Sequence, residues 1–118
     1  MNIEEFYSYC LKKQLVTEEF PFGPETLVFK VAGKVFALCG LDNPRFMVNL
    51  KCDPDLGEEL REEHPEIQAG YHMNKKHWNT VDFEGNLSDE LLKELIDHSY
   101  ELVVKGIPKS KKIELGLV

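Results

Sequence analysis

The residues with the richest chemistry in this chain are contiguous: Gly70-Tyr71-His72-Met73-Asn74-Lys75-Lys76-His77-Trp78-Asn79-Thr80-Val81. The run holds the only Trp, two of the four His and a Lys pair, and it contains no acid. Ammonium groups neutralise phosphates and an accessible indole stacks on a base or a sugar, so a segment of this composition can contact nucleic acid. The competing expectation is structural: a single Trp that opens a strand is usually buried at least in part, and the lysines then only solubilise a loop.

The preceding segment is its electrostatic opposite. Between Asp53 and Glu66 lie seven acids (Asp53, Asp55, Glu58, Glu59, Glu62, Glu63, Glu66) against the single Arg61, so this stretch carries nearly all of the formal net charge of −7. Binding follows the local field rather than the total, and segregated acid leaves room for a basic surface elsewhere. A solvated helix face is the ordinary use of such a run. Weak binding of a hard divalent cation through oxygen ligands, along helix 53–66, is the alternative.

Other chemistries lack their signatures. The glycines at 23, 33, 40, 57, 70, 85, 106 and 116 never take the spacing of a dinucleotide or phosphate-binding loop, and no G-x-S-x-G elbow exists. His72 and His77, with His64 or Cys52, are metal-ligand types, but five-residue spacing outside a helix does not converge two imidazoles, and neither H-E-x-x-H nor C-x-x-C is present. Cys10, Cys39 and Cys52 are odd in number and far apart, which indicates buried thiols rather than disulfides. A His beside a Lys could move protons, yet no carboxylate lies between Glu66 and Asp82 to orient it. No catalytic residue, metal site or cofactor is expected, and the chain is expected not to be an enzyme.

The elements that must position these residues follow from periodicity. Asn2 with Glu5 forms a capping box, and Ile3, Phe6, Tyr7, Cys10 and Leu11 share one face of a helix over residues 3–14. Phe20-Pro21-Phe22-Gly23-Pro24 breaks it, and its aromatics are expected to pin that loop to the core. Strands at 26–32 and 35–41 flank Gly33-Lys34, a hairpin signal, and a third strand follows at 46–51. If Leu27, Phe29, Val31, Phe46, Val48 and Leu50 face the core, then Lys30, Asn49 and Lys51 point to the other side of the sheet. Asp53 caps a helix that Pro54 opens and that ends by His64-Pro65. A strand at 78–83 precedes a turn at Gly85-Asn86, and Ser88 caps a last helix to about 104, striped by Leu91, Leu92, Leu95, Ile96, Ser99, Leu102 and Val103. Lys109, Lys111 and Lys112 read as a basic tail. The order predicts an α+β fold in which the N- and C-terminal helices cover one face of an antiparallel sheet.

The 118 residues, 42% hydrophobic and 30% charged, suit one domain spanning 1–118. No apolar run is long enough to span a bilayer, and Glu4 and Glu5 stand where a signal peptide carries positive charge. A cytoplasmic, monomeric protein without membrane association is expected.

Pro21-Phe22-Gly23, Val28-Phe29-Lys30-Val31 with Gly33-Lys34-Val35-Phe36-Ala37, Asn49-Leu50-Lys51, the whole run 70–81 and Ser99-Tyr100-Glu101-Leu102-Val103 together resemble the MmcQ/YjbR family, over nearly the entire chain. The resemblance implies a small bacterial α+β domain of bacterial-frataxin-like, or double-wing, fold that binds DNA. The leading expectation is therefore a DNA-binding domain, weak and largely sequence-independent. Lys30, Lys34, Lys51, Lys75, Lys76 and His77 would meet phosphates, Asn49, Asn74 and Asn79 would make polar contacts, Trp78 would stack, and His72 belongs to the same nucleic-acid-binding set. The rival is a protein- or small-ligand-binding adaptor that uses the same Trp-centred surface.

Overall fold

The computed structural model describes residues 1–70 and 73–117. Helix α1 (Ile3–Leu11) opens on the expected capping box: Asn2 Oδ1 accepts from the Glu5 N–H at 2.8 Å and Glu5 Oε1 from the Asn2 N–H at 3.1 Å. The helix stops three residues short of the periodicity. Leu15 takes a positive φ of 61° and turns the chain into β1 (Val16–Glu19), an edge strand too short and too polar to show in the pattern. The loop that follows is not pinned to the core as expected: Phe20 is 46% and Phe22 71% exposed.

β2 (Thr26–Val31) and β3 (Lys34–Gly40) form the expected hairpin. Both Ala32 and Gly33 have positive φ, 51° and 79°, as a two-residue turn between right-twisted strands requires, so the turn lies one residue earlier than the expected Gly33-Lys34 and Lys34 begins β3. β4 (Met47–Lys51) leads through Asp53, whose carboxylate caps Leu56 N–H at 3.1 Å, into α2 (Pro54–Glu63). β5 (Ile67–Ala69), β6 (Trp78–Asp82), α3 (Asp89–Lys105) and α4 (Lys109–Leu115) complete the chain. β5, only three residues long, and α4 were not legible in the sequence. The Lys-rich tail is helical, and its end is tied down where the Gln14 side-chain amide donates to the Gly116 carbonyl at 2.7 Å.

The six strands make one sheet in the order β1-β2-β3-β4-β6-β5, every neighbouring pair antiparallel. Phe6 and Cys10 of α1 and Leu92, Leu95, Ile96 and Val103 of α3 pack with Leu27, Phe29, Val31, Val48, Leu50 and Val81 in a single core. The Phe6 ring meets the edges of Phe29, Phe46 and Phe83, each at 5.5 Å between centroids. The α+β architecture with the terminal helices on one sheet face is as the sequence predicted. α2 packs beside them against β5, burying Gly57 and Leu60. Among the described residues no helix is long and apolar enough to cross a membrane.

One polar residue in the core repairs a break in the sheet. Phe29 pairs with Ala37 but Lys30 with Val35, so Phe36 is an extra, bulged residue and the β3–β4 ladder ends at Ala37–Leu50. The Ser99 hydroxyl fills the gap: it donates to the Phe36 carbonyl at 2.5 Å and accepts from the Lys51 N–H at 2.8 Å. Ser99→Ala strands both groups and is expected to cost about 1–3 kcal/mol in a urea titration. A loss under about 0.5 kcal/mol, the level of an ordinary surface change, would contradict this role.

All three cysteines are buried. Burial pushes the Cys39 and Cys52 thiols up to about 11 and raises Cys10 as well, against the pull of the Lys13 ammonium. The thiolate is the reactive form. At pH 8 a disulfide dye should therefore titrate no fast thiol in the folded protein and all three after denaturation; one fast-reacting thiol in the native state would refute the burial argument.

Candidate nucleic-acid interface

The pleat sends alternate residues to the face that α1, α2 and α3 leave uncovered. Strand register arranges that face in rows across the sheet. The middle row runs Glu19, Val28, Leu38, Asn49, Thr80, Gln68. One step along the strands, toward the β2–β3 turn, lie the pairs Lys30–Val35 and Lys51–Trp78. One step the other way lie Thr26–Gly40 and Met47–Asp82.

Charge divides along the same axis. Lys51 and Trp78 sit directly opposite each other, the segment 73–77 feeds into Trp78, and Lys34 follows the hairpin turn at the same end. At the far end Arg45 is consumed by Asp82, donating from Nε at 3.0 Å and Nη2 at 2.7 Å. None of Lys34, Lys51, Lys75 and Lys76 forms an ion pair among the described residues.

The segment before Trp78 is a built turn. Asn74 Oδ1 accepts from the Lys76 N–H at 2.9 Å, and the Asn74 carbonyl accepts from His77 N–H at 3.2 Å and Trp78 N–H at 3.0 Å. The His77 carbonyl accepts from Cys52 N–H at 2.8 Å, which fastens the turn to the end of β4. Lys75 and Lys76 are thereby held exposed at its tip, and His77 is half-buried. Gly70 crosses Trp78 closely, donating its N–H to the Trp78 carbonyl at 2.7 Å; a Cβ there would stand 2.8 Å from Trp78 Cβ. Trp78 itself is half-buried and lies outside the core cluster.

Thus Lys51, Lys75, Lys76, His77 and Trp78 gather at one end of the open face, with Asn49 one row inward; Lys34 is a correction, since it lies at the same end but pairs with the core residue Val31 and so belongs to the covered face. Three more of the expected residues fare differently. Lys30 is on the open face but pairs with Glu19 at 3.2 Å, and the pair runs beside the fully buried Val28. Asn74 spends its side-chain oxygen on the turn. Asn79 is a correction: it points to the covered face, is only 3% exposed, and accepts from Arg61 Nη1 at 2.7 Å. Gly57 permits that contact, since a Cβ on it would stand 3.3 Å from both the Arg61 and Asn79 side chains. His72 lies outside the described residues. The acidic α2 is therefore behind the sheet, and among the described residues no three His, Cys, Asp or Glu side chains come close enough to share an ion.

Sequence reasoning missed a groove on the open face. About 430 Å³ in volume, it is lined by Thr26, Leu38, Asp42, Asn43, Met47, Asn49, Gln68 and Thr80, with Gly40 at its end. The Thr80 hydroxyl donates to Asn49 Oδ1 at 2.6 Å. Its walls come from five strands and a loop, so no local pattern reveals it. Alternation from Trp78 to Thr80, beside the Asn49 already assigned to this face, was the one available signal.

Comparison with known proteins places this architecture. A family model described as YjbR matches residues 11–102. The chain is 44% identical over 99 residues to the Escherichia coli O157:H7 protein "Uncharacterized protein YbdF", covering 82% of this chain and 81% of that one. It is 33% identical over 112 residues to YjbR of Escherichia coli K12, covering 95% of each. The crystal structure of Deinococcus radiodurans DR2400, a DUF419 domain, superposes with a TM-score of 0.92 at 44% identity over 98% of this chain and 88% of that one. A Pseudomonas syringae crystal structure gives 0.75 at 32% identity over 86% and 98%. With most of its length matched by the family model and by relatives of near-equal size, the chain belongs to the YjbR family.

Proposed function

We propose that this chain is a non-enzymatic nucleic-acid-binding domain that uses the uncovered sheet face and the turn before Trp78. The observation that carries the reading is the grouping of Lys51, Lys75 and Lys76 at one end of the open face, free of ion pairs among the described residues and beside His77 and Trp78. Three lysines and a histidine are a small electrostatic footprint. With about three phosphates neutralised, the log–log salt slope is about −2 to −3, and affinity falls in the weak range of non-specific binding, on the order of micromolar or below that strength. The net charge of −7 adds long-range repulsion, and the acidic α2 behind the sheet restricts docking to the open face.

A protein partner is the second reading, and a separate place on the molecule favours it. Exposed Phe20 lines a groove of about 480 Å³ with Ile3, Tyr7, Leu27 and Leu41, edged by Glu4, Ser8 and Glu18. A largely aromatic and aliphatic surface of that kind suits a protein contact.

Lys75→Glu combined with Lys76→Glu is expected to weaken binding to every oligonucleotide tested and to flatten the salt slope by about 1.4–1.8, two contacts' worth. Both residues are exposed, so thermal stability should be unchanged. Equal binding by wild type and the double variant across a salt titration would remove the turn from the interface.

A further inference from the structure

We infer that the nucleic acid taken by this face is single-stranded, with an unpaired base seated in the groove of the middle row. The inference rests on the nucleic-acid reading above and narrows it. Three independent features of the molecule lead to it.

The first is size. Six strands about 4.8 Å apart make a face roughly 24 Å across, twice the width of the roughly 12 Å major groove of duplex DNA. Such a face cannot reach paired bases. The helices are placed elsewhere: α1 and α3 turn their buried stripes to the core, α2 is acidic and packs on the other side, and the Lys-rich α4, only seven residues long and tied to Gln14, contributes no residue to the groove. The β2–β3 turn offers only Ala32 and Gly33 at its tip, with no base-reading side chain. A duplex could therefore touch this surface only through its phosphates, whereas a splayed single strand presents its base edges to it.

The second is the chemistry of the groove. No lysine or arginine lines it, and its one charged residue, Asp42, repels phosphate. What it offers is a set of amides and hydroxyls (Asn43, Asn49, Gln68, Thr26) beside the apolar Leu38 and Met47. That combination suits a flat, neutral group with hydrogen-bonding edges, which describes a nucleobase. The hydrogen bond from Thr80 fixes the Asn49 carbonyl oxygen, so the Asn49 amide NH₂ is oriented as a donor.

The third is spacing. Lys51 and Trp78 are two residues along their strands from Asn49 and Thr80, on the same face, or about 7 Å away. A phosphate held by Lys51 thus places its own base at the groove, and a neighbouring base falls near Trp78. The far end, where Asp82 neutralises Arg45, supplies no second set of cations to lead a strand onward.

The test compares fluorescence anisotropy of a mixed-sequence DNA strand of about 16 nucleotides, and of the same strand annealed to its complement, in about 50 mM salt. The single strand is expected to bind at least several-fold more tightly. Asn49→Leu should weaken single-strand binding about two- to tenfold, the worth of one or two hydrogen bonds, while duplex affinity and the salt slope stay unchanged. Gln68→Ala, at an exposed position on the edge strand, should act in the same direction and guards against a folding defect in the first variant. Duplex binding equal to or tighter than single-strand binding, or equal losses for both forms in the two variants, would overturn the inference and leave the nucleic-acid reading standing. No binding of either form at low salt would overturn both.

Discussion

Burial of one face of the sheet against α1 and α3 fixes the register of the strands, because a one-residue slip would exchange every core side chain for a solvent-facing one. Leu27, Phe29 and Val31 on β2 and Val48 and Leu50 on β4 cannot all be inside unless Lys30, Asn49 and Lys51 are outside. The composition of the open face is thus a consequence of the hydrophobic demand of the closed one. Lys51 faces Trp78, and Asn49 faces Thr80, because Val48 must face Val81. The Ser99 bridge extends the same logic: it lets β3 bulge at Phe36, place that ring in the core, and still hold the start of β3 to the end of β4.

The same two-sidedness separates the charges. The acidic run is long enough to form only one helix, and Gly57 and Leu60 bind that helix to the back of β5 and β6, with Arg61 reaching Asn79. Its carboxylates therefore stand behind the sheet, while the turn at 73–77 leads into Trp78 on the front. An overall negative protein can carry a locally cationic end because folding places opposite charges on opposite faces of a layer that water does not penetrate. On the front, Glu19 and Asp82 each take a cation out of play, Lys30 and Arg45, and so concentrate the unpaired lysines around the turn at 73–77.

Much of this was legible from local patterns. The capping box at Asn2 and Glu5, the Asp53-Pro54 start and Pro65 stop of α2, the Ser88 cap of α3 and the β2–β3 turn are decided by residues a few positions apart, and such short-range chemistry reads directly from a sequence. β1 and β5 did not read because edge strands of four and three residues are held by pairing to a distant neighbour and bury too little to leave a period. α4 did not read because its lysines hide a helix that long-range contacts from Gln14 and the core hold in place.

The sequence by itself determined the fold class, the faces of the central strands and the residue types available for binding, since each depends on periodicity and composition. Tertiary structure decided which of those residues are usable. Asn79 was removed by the pleat and by an arginine eighteen positions away in the chain, and Lys30 by a glutamate on a strand that only pairing creates. The groove on the open face exists only after five strands and a loop converge. A side chain's type is written locally, but whether it is free, paired or buried depends on partners that are distant in sequence and meet only when the sheet closes over its core.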